Sequence, residues 1–332
     1  MSSSPLTRPA GPIAVVAPTR ERPPLVELVR ASYLDPERRP ALLGAVACTA
    51  ALALLYAPNL VHFVSTWSRD ENYSHGFLVP LISLWFANEA ARRGPVERRS
   101  GVAIGIALML LGILARLVTV ALPVFFISDL AFLVTIAGMI ALLFGRSALA
   151  RYGFAVGFLV FMIPLPVALY AAFASPLQLA VSRIASGLLT LSGIPALCEG
   201  NLITLPGDVK MFVAEACSGM RQLTGFLALT TACAWILRRP IWYRAALVAA
   251  SIPIAMTANV IRVTFTGIIT YRLDAKYASG AFHTVEGLVM MGLGLLLLQG
   301  VRLVLDQVIA LTSPLEPSAP APRAAATLST PS

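Results

Sequence analysis

The chain has 332 residues, of which 58% are hydrophobic and only 12% charged, and its net charge is +9. Soluble domains carry about twice that share of charged residues. The composition therefore excludes a disordered chain, a collagen-like fibre and a small disulfide-stapled fold, and it argues against an ordinary soluble enzyme. Because the apolar residues form blocks of about 18 to 25, the length of helix that crosses a bilayer, the sequence predicts an all-α integral membrane protein.

The basic residues outnumber the acidic ones, 25 to 16, but their placement argues against binding to nucleic acid. They occur in short runs between apolar blocks, whereas nucleic-acid-binding proteins gather them on one soluble face. Positively charged loops on the cytoplasmic side of a membrane explain this pattern. Since the sequence also lacks metal, haem and nucleotide motifs, we expect a surrounding lipid bilayer, no nucleic-acid partner, no metal and no cofactor.

The chain is predicted to contain one membrane domain between two tails. Residues 1–40 are rich in Pro, Arg and Ser and predict a disordered cytoplasmic tail with one short helix at its end. Residues 312–332 predict a second disordered cytoplasmic tail. Residues 41–311 predict about eight transmembrane helices, in blocks at 41–64, 77–90, 102–122, 124–144, 152–173, 217–239, a long block from 241, and 283–311.

An insert at 175–216 separates the fifth block, which Pro164 and Pro166 interrupt, from the sixth. Its first part has apolar residues at helical spacing around a polar face with Gln178, Ser182 and Arg183, which predicts an amphipathic helix in the membrane interface. In its second part, apolar and polar residues alternate on both sides of Pro-Gly-Asp at 206–208, which predicts a short hairpin before the sixth span.

The arginine clusters predict the orientation. With the N-terminus in the cytoplasm and eight spans, the basic runs at 92–99, 146–151 and 238–244 all lie inside, whereas the opposite placement exports every one of them. Both termini are then cytoplasmic. The groups expected near the outer face are Tyr73–His75, the insert at 175–216, Cys217, Arg262 and His283.

Three of these residues suit thiol-dependent acyl transfer. Cys217 is expected to open the sixth helix, where the helix dipole lowers the pKa of a thiol. Arg262 lies in the apolar run TANVIRVTF, and an arginine within a membrane span normally has a partner or a function. His283 begins the last block. Together they offer a nucleophile, an anion-stabilising group and a proton carrier.

Simpler interpretations stay open for each residue. A membrane cysteine is usually a small packing residue, as expected for Cys48 and Cys233. Arg262 is equally explained as an anchor that extends its head group to the interface, and His283 as an interfacial residue. Arg116 and Asp129, which flank the turn at Pro123, are most simply an interfacial pair.

Two other functional classes compete with a cysteine enzyme. A non-catalytic membrane protein, either a transporter or an exopolysaccharide-assembly component, would also have eight spans with some polar residues. A transporter is expected to show broken helices at matching positions in two halves, and these halves do not match beyond their prolines. A serine intramembrane protease would need a reactive serine, but Ser218 directly follows Cys217, which is the better nucleophile.

Four segments resemble the signatures of the exosortase/archaeosortase family, in the family's order: WSRDENYSHGFLVP (67–80), EACSGMR (215–221), NVIR (259–262) and FH (282–283). The resemblance extends over about 40–310 and is closest to the bacterial exosortase branch. It implies that Cys217, Arg262 and His283 are the catalytic residues. It also implies substrate-binding or structural roles for the other motif residues, namely Tyr73, Ser74, His75, Glu215, Arg221 and Asn259.

The resemblance further implies a membrane-embedded cysteine transpeptidase or protease in the bacterial inner membrane. Its partners would be secreted proteins that end in a Pro-Glu-Pro-type motif, a transmembrane helix and a basic cluster. Cys217 would cleave this sorting signal at the periplasmic face through a thioester, with His283 as acid and base and Arg262 stabilising the oxyanion or the substrate. Transfer to an acceptor and hydrolysis both remain open, as does the subfamily.

Overall fold

The computed structural model describes residues 25–94, 96–97, 99–121, 125–213, 219–237, 239–272 and 281–312, with backbone alone at 25, 28, 219–220, 281–286, 288 and 312. Most of these residues are helical. The helices are α1 (Leu25–Leu34), α2 (Arg39–Leu55), α3 (Ala57–Arg69), α4 (Leu78–Arg92), α5 (Val102–Ala121), α6 (Phe125–Phe144), α7 (Arg146–Phe158), α8 (Val167–Leu191), α9 (Gly219–Ile236), α10 (Ile241–Ala249), α11 (Ser251–Arg272) and α12 (Ala281–Thr312). Short 3₁₀ helices follow α3 (Glu71–Phe77) and α7 (Leu159–Met162), and the strands are β1 (Leu197–Glu199), β2 (Leu202–Leu205) and β3 (Val209–Phe212).

The predicted all-α membrane architecture is confirmed, whereas the count of eight spans is not. Within the described ranges, five helical stretches are long and apolar enough to cross a membrane, and a bent pair makes a sixth. They are α5, α6, α8, the stretch Ile241–Arg272, Val289–Leu311 within α12, and the pair α2 and α3. Helices α4 and α7, with 15 and 13 residues, are shorter than a typical span.

The first apolar block bends sharply instead of forming one straight helix. Helices α2 and α3 meet at Tyr56 with an angle of 67° between them, and Pro58 in the first turn of α3 removes a backbone donor that a continuous helix would use. The bend is fixed from inside, because Tyr56 is fully buried and its hydroxyl hydrogen-bonds to Thr135 Oγ1 on α6 at 2.8 Å.

Asp129 is buried and does not pair with Arg116, so the expectation of an interfacial pair is wrong. The Asn59 amide on α3 donates to Asp129 Oδ1 at 2.6 Å and to Ser128 Oγ at 2.9 Å. In the part of the chain that the structure describes, no ion pair joins Arg116 to Asp129. The polar side chains in the first turn of α6 face α3. There the Asn59 amide, and not the Arg116 guanidinium group, is the partner of the Asp129 carboxyl group.

The chain divides into two compact units, Met1–Leu165 and Pro166–Ser332. In the first unit α5 and α6 form the most extensive helix pair. They approach closely at Gly112, where a Cβ atom would overlap the Thr135 side chain, and at Gly138, where it would lie 2.7 Å from Met109 N. Small residues at such crossings are typical of helices that pack within a membrane. Helix α1 lies where the sequence predicts one short helix.

The fifth apolar block and the helix of the insert are divided differently from the prediction. The chain breaks at 163–166, and α8 then runs unbroken through Pro176, so the expected start of a separate helix at residue 175 is wrong. The side chain of Ser182 is also not on an exposed polar face, because it is buried and donates to Gln178 O at 2.8 Å. A hydroxyl satisfied within its own helix can face an apolar core.

The predicted hairpin is present and carries one additional strand. Strands β2 and β3 pair antiparallel around Pro206–Asp208, and β1 extends the sheet on the other side of β2 in the order β1-β2-β3. Pro206 followed by Gly207 with φ of 84° suits a turn that needs a left-handed residue in its second central position.

The second unit buries the inner face of this sheet against two helices. Ile203 and Leu205 of β2 pack in one cluster with residues of α8 and α11. The members from the helices are Val181, Ala185, Leu189, Val260 and Val263. The other two members are Ile194 and Val213, the residue directly after β3. The sheet is therefore held on the core of this unit by its buried face.

Candidate functional site

The residues of the N-terminal motif contact the break between α7 and α8. The Tyr73 hydroxyl accepts a hydrogen bond from Leu165 N at 3.1 Å, and His75 Nε2 lies 3.1 Å from the carbonyl oxygen of Phe161. Trp67 Nε1 donates to the carbonyl oxygen of Met162 at 2.9 Å. These contacts link positions 86 to 95 residues apart in the sequence.

The physical reason lies in the prolines at 164 and 166. Neither proline has an N–H, so the carbonyl groups at the end of the preceding 3₁₀ helix lose the donors that a continuing helix would supply. In an apolar region an unpaired carbonyl costs about 1–3 kcal/mol, and Trp67 and His75 provide the missing donors. Tyr73 and His75 thus contact the break as a structural role would require, and that role stays a prediction. Ser74 is exposed and donates to Glu71 O at 3.0 Å within its own turn.

His75 is partly buried, and this burial lowers the pKa of its imidazole below the usual 6.5, against the opposing effect of its backbone hydrogen bonds to Phe161 and Asn72. The ring is therefore neutral at pH 7 and donates through Nε2. Since protonation is disfavoured in the folded state, the stability contributed by the neutral ring is present above the unfolded pKa and declines as the pH falls below it.

We call the contacts of Trp67, Tyr73 and His75 with the break at 161–165 the brace. Gly76 gives a direct test of it. A Cβ at residue 76 would overlap the indole ring of Trp67, which stacks on Phe63 with ring centroids 5.7 Å apart. We expect Gly76→Ala to destabilise the folded protein by about 1–3 kcal/mol, as overpacking of a filled core does. The measurement is the melting temperature of the purified protein in detergent.

Gly153→Ala is the matched control. Gly153 lies in the middle of α7 with no atom within 4 Å of its added Cβ, so alanine there should be neutral or stabilise by about 0.5–1 kcal/mol. Equal melting temperatures for Gly76→Ala and Gly153→Ala would show that the motif does not brace the break.

In the second unit, Arg262 and Asn259 lie one turn apart on α11, and both are buried. Arg262 exposes 6% of its surface and Asn259 2%. A snorkelling arginine would hold its head group in water, so this burial favours a partnered arginine over an interfacial anchor. Asn259 Oδ1 has no hydrogen-bond partner within the described residues, which leaves a buried acceptor one turn from Arg262 on the same helix.

The other site residues are described only in part. Cys217 and Glu215 lie outside the described residues, and so does the expectation that Cys217 opens a helix. The backbone of His283 lies in the first turn of α12, as the sequence predicts, while its side chain is not described. Arg221 lies near the start of α9 and is half-buried. Of the three catalytic candidates, the structure thus describes the side chain of Arg262 alone.

Sequence reasoning missed two features of these surroundings. The first is the role of Trp67, whose indole N–H donates to the carbonyl oxygen of Met162. The signal for it was the Pro-x-Pro break, since freed carbonyl groups require donors. The second is the strand β1, whose three residues are too few for a recognisable alternation.

The comparisons with known proteins agree with the motifs. The family model described as transmembrane exosortase matches residues 67–300, which is more than half of the chain. No curated protein and no solved structure matches the chain. The matched range begins at the tryptophan of the brace and includes Arg262 and the start of α12. The chain therefore belongs to the transmembrane exosortase family, whose members are membrane proteins of the transpeptidase type.

Proposed function

We propose that this protein is a cysteine transpeptidase or protease that cleaves the C-terminal sorting signals of exported proteins at the outer face of the bacterial inner membrane. Cys217 is the nucleophile, His283 the acid and base, and Arg262 the group that stabilises the oxyanion or holds the substrate. Membership in the transmembrane exosortase family supports this class of reaction.

The burial of Arg262 is the observation that carries the assignment. A buried guanidinium group within a membrane helix costs free energy unless it has a partner or a specific role. In a partly desolvated site its fixed charge and its planar set of N–H donors suit a developing oxyanion or a peptide carbonyl. The burial of Arg262 therefore favours a functional role over that of an interfacial anchor.

The packing after β3 limits how far Cys217 can lie from the segment that carries Arg262. Val213 packs in the same cluster as Val260 and Val263, which are two residues before and one residue after Arg262 along α11. Cys217 follows Val213 by four residues, and four residues of extended chain reach at most about 14 Å. This limit is compatible with the proposal that both residues contact the same substrate carbonyl group.

The proposed reaction has two steps. The Cys217 thiolate attacks the scissile carbonyl carbon, the C–N bond breaks, and His283 gives the thiol proton to the leaving amine. The product is a thioester between the exported protein and the enzyme. An acceptor nucleophile, either an amine or water, then attacks the thioester, loses its proton to His283 and releases the Cys217 sulfur.

The topology of the chain gives a prediction on which this site depends. Fusions to alkaline phosphatase should be active at residue 207, and fusions within 91–100 and 238–244 should be inactive, because alkaline phosphatase folds only outside the cytoplasm. The reason is the arginine distribution. If α8 crossed the membrane in addition to the fifth predicted block, the number of crossings before residue 238 would become odd, and the basic run at 238–244 would be exported.

Green fluorescent protein fused at the same sites serves as the control, since it should fluoresce only at the two arginine-rich loops. An inactive phosphatase at residue 207 would place the sheet in the cytoplasm. The site would then lie on the wrong side for exported substrates.

The test of the function itself is a processing experiment. The probe is an exported protein of the same genome that ends in an apolar helix followed by an arginine cluster, tagged at its N-terminus and expressed with or without the enzyme. We expect a shortened product only when the enzyme is present, detected as a mobility shift and identified by mass spectrometry of its new C-terminus. An unshortened precursor in the presence of folded enzyme would refute the proposal.

A further inference from the structure

Strand β3 is the last strand before Cys217 in the sequence and lies at one edge of the sheet. Among the residues that the structure describes, the order β1-β2-β3 leaves β1 and β3 each with one unpaired side. Lys210 and Phe212 of β3 are exposed, with Phe212 showing 47% of its surface. An exposed strand edge is a template on which another extended chain can pair.

The register shows which backbone groups of β3 point outward. Val213 N donates to Asn201 O at 2.9 Å. In an antiparallel pair, hydrogen-bonded and non-bonded residues alternate, so Met211 and Val209 also bond to β2. The N–H and C=O groups of Lys210 and Phe212 therefore point away from β2. Within the described residues, no hydrogen bond uses these outward groups.

This edge is held in place by the core of its unit. Val209 and Met211 turn their side chains toward the buried cluster, and on the neighbouring strand Ile203 and Leu205 are completely or almost completely buried in it. A strand fixed in this way gains little further order when a second strand pairs with it, so the entropic cost of pairing falls mainly on the incoming chain.

We propose that the open edge of β3, formed by the outward backbone groups of Lys210 and Phe212, binds the extended segment of the substrate that precedes the scissile bond as an additional β-strand. The inference rests on the proposed cysteine chemistry. Phe212 is five residues before Cys217 in the sequence, and this short separation is the reason for choosing the β3 edge. Backbone pairing gives affinity largely independent of sequence, which suits an enzyme that acts on many exported proteins.

The other edge of the sheet fits this role less well. Strand β1 has three residues, and only Cys198, the central one, directs its backbone groups outward, because Leu197 and Glu199 bond to β2. Cys198 is 19 residues before Cys217 along the chain, and its thiol already bonds to Gly200 O at 3.5 Å. The two edges therefore provide a matched pair for the experiment.

The experiment is photo-cross-linking in the full-length membrane protein with Cys217→Ala, which should hold the precursor without processing it. The photoreactive analogue p-benzoylphenylalanine replaces Phe212 on β3 or, as the control, Leu197 on β1, which is 61% exposed. The probe is the tagged precursor with its apolar helix and arginine cluster. We expect at least about five times more cross-linked precursor from residue 212 than from residue 197.

Proline variants then test the backbone itself. Proline at an edge removes only an outward donor, so Lys210→Pro should reduce the cross-link from residue 212 about fivefold, whereas Cys198→Pro should not. Lys210→Ala keeps the backbone N–H. The difference in cross-link yield between Lys210→Pro and Lys210→Ala therefore measures the contribution of this donor. The amount of each variant in the membrane and its melting temperature in detergent are measured to establish whether the variant is folded.

The outcomes separate this inference from the proposed function. Equal cross-linking from residues 212 and 197, or no effect of Lys210→Pro, would overturn strand pairing while leaving the cysteine mechanism in place. Continued processing by Cys217→Ala would overturn the mechanism instead, whatever the cross-linking pattern.

Discussion

Cys217→Ser is expected to abolish processing of the precursor while leaving the protein in the membrane at normal levels. A hydroxyl group has a far higher pKa than a thiol and forms much less of the anionic nucleophile at neutral pH. The rate should therefore fall by roughly 10²-fold or more. The measurement is the ratio of processed to precursor protein on a blot, with the amount of enzyme followed in parallel.

The other cysteines provide matched controls for this substitution. Cys48 is exposed on α2, and Cys233 is half-buried against the apolar cluster of α9. Neither accompanies a polar motif, so Cys48→Ser and Cys233→Ser should process the precursor normally. Full processing by Cys217→Ser would refute the nucleophile assignment.

Arg262→Lys is expected to leave the precursor largely unprocessed. If the arginine stabilises an oxyanion or clamps a carbonyl group, its planar set of five N–H donors matters, and the compact ammonium group of lysine is a poor replacement. Loss of one well-placed donor costs about 10²–10³ in rate in acyl-transfer enzymes. The single-turnover rate of processing measures the effect, and Arg262→Ala should be at least as slow.

Arg272→Lys on the same helix controls for the loss of an arginine as such, because Arg272 is exposed at the end of α11. It should process the precursor at the normal rate. Near-normal processing by Arg262→Lys would return Arg262 to the role of an anchor and leave Cys217 and His283 as a two-residue site.

The sequence predicts the helices well where one physical signal dominates. Long apolar runs without breakers yield α5 and α6, and the alternation around Pro206-Gly207-Asp208 yields the β2–β3 hairpin. The bend at Tyr56 and the continuity of α8 through Pro176 were not predicted. In both places the proline sets only a local preference, and packing decides whether the helix bends or continues. The bend is held by the hydrogen bond from Tyr56 to Thr135 on α6. In α8 the loss of one backbone hydrogen bond at Pro176 does not end the helix.

The candidate site was predicted through residue types and motifs, not through contacts. An arginine within an apolar run is a strong local signal, and the burial of Arg262 agrees with it. The Pro-x-Pro break predicts that the carbonyl groups before it need donors. It does not predict that Trp67, Tyr73 and His75 contact this break, because they lie about 90 residues away in the sequence. Local sequence holds no information about which distant backbone group a side chain will reach.

The most direct test of the proposed chemistry is detection of the thioester itself. Enzyme mixed with the precursor is quenched in acid, digested and analysed by mass spectrometry for a peptide that carries the new C-terminus of the exported protein on Cys217. We predict this adduct, its release by neutral hydroxylamine, and its absence from Cys217→Ala. An adduct on Ser218 instead, or processing by Cys217→Ala at the normal rate, would contradict a cysteine mechanism.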